Sequence, residues 1–136
     1  MSDRVYMEKY ELANKWLCLQ IKESSLFRSL KRKGVKKIII YGASDFALRL
    51  MEQCKCEGDM ELIAISDKAI ISSGQKYKGI PLIPVSDIRP LQSADTCIVI
   101  TTVGYQEEIE DDFKRRGIED YILLRDLIYD AFCEEK

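Results

Sequence analysis

The residues best placed to do chemistry are Gly42-Ala43-Ser44-Asp45-Phe46-Ala47, Asp67, and the pair Thr101-Thr102. The first group reads G-x-S-x-x-A, one substitution from the G-x-G-x-x-A turn whose glycines let backbone approach a pyrophosphate at a helix N-terminus. Asp67 closes the next apolar run, where a carboxylate can accept hydrogen bonds from a ribose. Thr101 and Thr102 follow a third apolar run and offer hydroxyls to the same crevice. Two readings stay open at this point. In one, Gly42, Ala43, Ser44, Asp45, Asp67, Thr101 and Thr102 hold a nucleotide such as NAD(P). In the other, Gly42 makes a tight turn, Ser44 and Thr102 cap helices, and nothing binds. Ser44 puts a side chain where the second glycine would stand, and Asp45 puts a negative charge where phosphate would sit.

Much other chemistry is excluded. The chain has no histidine, so it holds no Ser-His-Asp or Cys-His unit and no imidazole base. None of its seven tyrosines has a lysine four residues on, so the proton-handling pair of short-chain dehydrogenases is missing. The five cysteines form a C-x-C at Cys54–Cys56 and no C-x-x-C, and they read as free thiols rather than zinc ligands. No catalytic residue and no metal ligand is assigned.

These candidates need elements to position them. Val35–Tyr41, Glu61–Ser66 and Thr96–Thr101 are β-branched, continuous apolar runs of the sort buried on both faces of a parallel sheet. Short strands are expected at Pro81–Val85 and Tyr121–Leu124, with a single turn near Ser86–Ile88, and residues 68–80 read as loop. Phe46, Ala47, Leu50, Met51 and Cys54 mark a helix after the first strand. Tyr105, Ile109 and Phe113 mark another, stopped by Gly117, and Leu127, Ile128, Ala131 and Phe132 mark the last. This alternation predicts an α/β domain of three layers with a mostly parallel sheet of about five strands over residues 35–136. Residues 1–34 form an N-terminal helical extension. In it Tyr6, Tyr10, Ala13, Leu17 and Ile21 recur at helical spacing, and Trp16 widens them into a broad stripe. A second helix with Leu26, Phe27 and Leu30 is expected after a Ser24-Ser25 cap. The stripe, with Tyr10 and Trp16, packs on the chain's own sheet or serves a homo-oligomer or partner interface.

Composition sets the surroundings. With 136 residues, 46% of them hydrophobic, the chain suits one domain with a sizeable core. A net charge of −2 gives no footprint for nucleic acid. The stretch Lys31-Arg32-Lys33 reads as the basic end of a helix, and Glu107–Asp112 as a wet helix face. No apolar run reaches the roughly 18 residues of a membrane span, and the charged N-terminus lacks a secretory core. A cytoplasmic location without membrane insertion is expected.

The runs KKIIIYGASDFALRL, ELIAISD, YKGIPLIPVSDI and CIVIT together resemble a known family. It is the Rossmann-like, CoA-binding-like domain at the front of capsular-polysaccharide epimerase/dehydratase proteins and of some sugar acyltransferases. The resemblance covers about residues 35–130. It implies that Gly42, Ala43, Ser44 and Asp67 line a nucleotide cleft with Thr101 and Thr102 opposite. It further implies a non-catalytic binding module tied to polysaccharide or sugar-nucleotide metabolism, so that a partner at the N-terminal helices would be a second copy or a glycan-synthesis protein. The other functions in view are an interaction module with a vestigial cleft and a cofactor-binding subunit of an oxidoreductase or epimerase.

Overall fold

A computed structural model of the chain describes residues 3–134. Helices α1 (Asp3–Ile21) and α2 (Arg28–Arg32) lead into β1 (Lys37–Tyr41), α3 (Asp45–Glu57) and β2 (Glu61–Ser66). A hairpin of β3 (Gln75–Tyr77) and β4 (Ile80–Ile83) follows, then a 3-10 turn (Val85–Asp87) and α4 (Ile88–Leu91). The chain closes with β5 (Thr96–Ile100), α5 (Gln106–Arg116), β6 (Tyr121–Leu123) and α6 (Leu124–Glu134).

The strands form one sheet in the order β3-β4-β2-β1-β5-β6. Every pairing is parallel except β3 with β4. The expected three-layer α/β architecture is therefore present, with six strands rather than five. The added strand is β3, inside the segment read as loop. Gln75-Lys76-Tyr77 is exposed and carries no apolar alternation, so it becomes a strand only through pairing with Tyr77↔Ile80 and Gln75↔Leu82.

Alternate residues of β1 feed two cores, as the two-residue period of a strand requires. Ile38 and Ile40 face a layer built from α1, α2, α3 and α6, with Trp16, Phe27, Leu50 and Leu127 buried there. Ile39 and Tyr41 face the other layer, with Ile88 of α4 and Phe113 of α5. The N-terminal helices thus share a core with the sheet. Their boundary is a Schellman-type stop: Gly34 has φ +83, and Val35 N–H donates to Leu30 O at 3.0 Å.

The serine cap expected for α2 is not used. Its N-cap is Phe27, and Ser25 Oγ instead donates to Glu57 Oε1 at 2.6 Å. Thr102 likewise does not cap α5, whose N-cap is Tyr105. Among the described residues, no helix is long and apolar enough to cross a membrane.

Candidate functional site

The order β4-β2-β1-β5-β6 reverses direction between β1 and β5, so the crevice of an open parallel sheet belongs above Tyr41 and Ile100. Gly42 occupies that point with φ +115. Its N–H donates to Ser66 O at 2.8 Å, which carries the β1–β2 ladder one residue further. A Cβ on Gly42 would lie 2.5 Å from Thr102 Oγ1 and 2.7 Å from Thr101 Oγ1. Thr101 is buried, and its hydroxyl reaches Tyr41 O at 3.2 Å and Gly42 O at 3.0 Å. The two threonines therefore close over Gly42, and the missing side chain makes room for the protein's own hydroxyls.

On the other side of the turn lies an open space. Ala43, Ser44 and Asp45 border a cavity of about 360 Å³ whose walls include Leu48 and Met51 of α3. Ile65 of β2, Ile70, Tyr77 of β3 and Leu82 of β4 complete it. Its volume falls within the range of small-molecule sites. A second cavity of about 420 Å³ shares Leu48 and Met51 and runs on past Met60, Leu62 and Ile80, with Lys55 and Lys78 at its rim. The topology explains both. A helix would ordinarily cover the sheet between two parallel neighbours. Here β2 reaches β4 through the β3 hairpin, and the apolar sheet beside α3 stays uncovered.

Polar groups gather at one end of this groove. Ser44 is the N-cap of α3 in extended backbone, and its hydroxyl makes no capping bond. Among the described residues, the amides of Ser44, Asp45 and Phe46 have no hydrogen-bond partner, while Ala47 N–H turns back to Ser44 O at 3.0 Å. Asp67 is already engaged: Oδ2 accepts from Ala43 N–H at 2.8 Å and Oδ1 from Ala69 N–H at 3.2 Å. A carboxylate has about four acceptor positions, so two remain for a ligand hydroxyl.

The seven sequence candidates thus divide. Ala43, Ser44 and Asp45 border the groove and Asp67 is hydrogen-bonded to Ala43 beside it, whereas Gly42, Thr101 and Thr102 pack against one another at the switch point. Sequence reading passed over the apolar walls, Leu48, Ile65, Ile70, Tyr77 and Leu82. The available signal was Ile70 with Ile71, adjacent β-branched residues in a segment rich in lysine, serine and glycine. Two ionisable groups nearby hold their protons firmly. Burial, aided by the charges of Asp67 and Asp112 and opposed by Arg116, raises the Tyr41 phenol above its usual value. Burial, with Glu57 nearby, pushes the Cys54 thiol up to about 12. Neither group is poised as a base or nucleophile at neutral pH.

No family model and no curated protein matches this chain. Among solved structures it is similar to methyltransferase FkbM from Methylobacillus flagellatus KT, with a TM-score of 0.54 and 19% identity. The match covers 90% of this chain and 36% of that one, so this chain spans about a third of that protein's length. The fold is Rossmann-like. At 19% identity the likeness speaks to the fold alone.

Proposed function

We propose that this chain is a non-catalytic module that binds a nucleotide-type ligand in the groove beside α3. One observation carries the reading. The apolar cavity walled by Ile65, Ile70, Tyr77 and Leu82 opens directly onto the turn whose Ser44, Asp45 and Phe46 amides are unpaired among the described residues. A flat, apolar base fits the cavity, Asp67 keeps two acceptor positions for a ribose hydroxyl, and the three amides face a phosphate or another polar group.

The donor set fits one nucleotide half better than an intact dinucleotide such as NAD(P). The second half would have to cross Gly42, where Thr101 and Thr102 close the switch point. Asp45 at the groove mouth further disfavours a ligand with several phosphate charges. Neutral Tyr41 and Cys54 and the absence of histidine support binding without turnover. The tie to polysaccharide and sugar-nucleotide metabolism rests on the sequence resemblance of residues 35–130. The similar solved structure is named a methyltransferase, which adds S-adenosylmethionine to the ligands worth trying.

The test is thermal melting of the whole chain with AMP, NAD, NADP, CoA, S-adenosylmethionine and UDP-sugars. A ligand at about 100 times its Kd adds roughly 2.7 kcal/mol, worth several degrees for a chain of this size. One compound is expected to shift the midpoint, and the shift should vanish in Leu48→Trp, which fills the cavity from an exposed position. No shift from any compound, or a shift that survives Leu48→Trp, overturns the reading.

A further inference from the structure

Helix α1 carries apolar residues on two sides, and the structure uses one of them. Leu12, Trp16 and Leu19 point inward and are buried. At 100° per residue, the stripe of Tyr6, Tyr10, Ala13, Leu17 and Ile21 lies roughly 130° around the helix from them. This stripe faces out: Tyr6 is 61% exposed, Tyr10 64%, Leu17 52% and Ile21 73%. Met7 extends it, and Ala13 between them is exposed as well. No charged residue interrupts it.

We infer that the outer face of α1 pairs with the same face of a second copy of this chain, the two helices running antiparallel. Three observations point to this occupant rather than an unrelated one. The first is spacing. Tyr6, Tyr10, Ala13 and Leu17 follow the alternating four-three-four rhythm of helices that interlock side chain into gap. The second is symmetry. A two-fold axis between residues 13 and 14 sets Tyr6 against Ile21 and Tyr10 against Leu17, each large residue meeting a large one. The small Ala13 falls at the crossing, where two helix axes come closest. A self-complementary patch is what a two-fold interface requires.

The third observation is area. At roughly 200 Å² for a large side chain, the five exposed residues present on the order of 600 Å² per protomer. That is the upper end of what a monomer leaves bare. Paired, the two faces can bury at most about 1,200 Å², which reaches the threshold of about 1,000 Å² for a specific interface. Tyrosine, twice in the stripe, is also a side chain that interfaces favour. The contact surface runs about 22 Å along the helix, from Tyr6 to Ile21.

The experiment is light scattering on the whole chain after size exclusion, across a range of concentrations, with variants that leave the core alone. The wild type is expected to give twice the chain mass at tens of micromolar. Leu17→Glu and Tyr10→Glu should return it to a monomer with an unchanged far-UV spectrum. Ile71→Glu, a still more exposed apolar site off the helix, should stay dimeric. Orientation is read by oxidising an equimolar mixture of Tyr10→Cys and Leu17→Cys chains in which Cys18, Cys56 and Cys133 are serine. The antiparallel pairing predicts a mixed disulfide from the mixture and little from either chain alone. A monomeric wild type, a dimer indifferent to Leu17→Glu, or cross-links within each separate chain overturns the inference.

Discussion

Gly42 stands under two constraints at once. Its φ of +115 lies where side chains are strained, and the space a side chain would take is held by two threonine hydroxyls. Gly42→Ala is therefore expected to destabilise the fold by at least about 2 kcal/mol, read from urea unfolding with the m-value unchanged. A loss below about 0.5 kcal/mol would mean that the threonines swing aside. The glycine itself was legible, because a glycine directly after a buried strand marks a turn. What it accommodates was not legible: Thr101 reaches it from 59 residues along the chain. Asp67 shows the same limit. Its place at a strand end and its local turn bond to Ala69 could be read, but its bond to Ala43 exists only once β1 and β2 lie side by side.

At the scale of elements, α1 and α3 are tied by a buried polar relay. Trp16 Nε1 donates to Gln53 Oε1 at 3.1 Å, and Gln53 Nε2 donates to Glu57 Oε2 at 2.7 Å. Glu57 also accepts from Leu26 N–H at 2.9 Å and from the Ser25 hydroxyl, so the chain between α1 and α2 is stitched to the same helix. The Trp16 ring stacks on Phe46 with centroids 6.3 Å apart. Trp16→Phe keeps most of the packing and removes the bond to Gln53, so a loss of about 1 kcal/mol is expected in urea unfolding. Trp16→Ala should cost about 3–5 kcal/mol. It would report the integrity of the fold, because of the two roles open to this residue in the sequence, core or interface, its burial gives it the first. Periodicity picked out the outward Tyr6, Tyr10, Ala13, Leu17 and Ile21, joined Trp16 of the inner face to them as one broad stripe, and passed over the buried Leu12 and Leu19. Only the packing of α6 and α3 against the helix separates Trp16 from Tyr10.

For the whole molecule, the parallel core was legible because Lys37–Tyr41, Glu61–Ser66 and Thr96–Ile100 are continuous apolar runs that need cover on both sides. The hairpin was not legible, since its pairing partner and not its composition makes β3 a strand. Burial in this core also sets the response to alkali. The folded chain holds the Cys54 thiol at about 12 and the Cys97 thiol at about 11, against 9.0 when exposed. Both values are raised, so the stability they support is full below pH 9 and is lost as pH climbs toward 11–12. The urea midpoint should therefore hold from pH 7 to 9 and fall by pH 10.5. The fall should shrink in Cys54→Ala and Cys97→Ala chains compared with their own values at pH 8. In the same samples a thiol reagent at pH 8 should find Cys18, Cys56 and Cys133 in the native chain, and Cys54 and Cys97 only on unfolding.

The hairpin that leaves the groove open has one more effect, on what the sheet shows to other chains in a crowded solution. An unfinished sheet invites strand-by-strand growth into fibrils wherever a long, flat edge is bare. Here one border is the three-residue Gln75-Lys76-Tyr77, exposed throughout and carrying a lysine. The other border, Tyr121–Leu123, is equally short and turns straight into α6. An incoming strand would find few bonds at either side and a charge to bury at the first. The same economy of chain that uncovers the groove beside α3 also guards against amyloid-like addition.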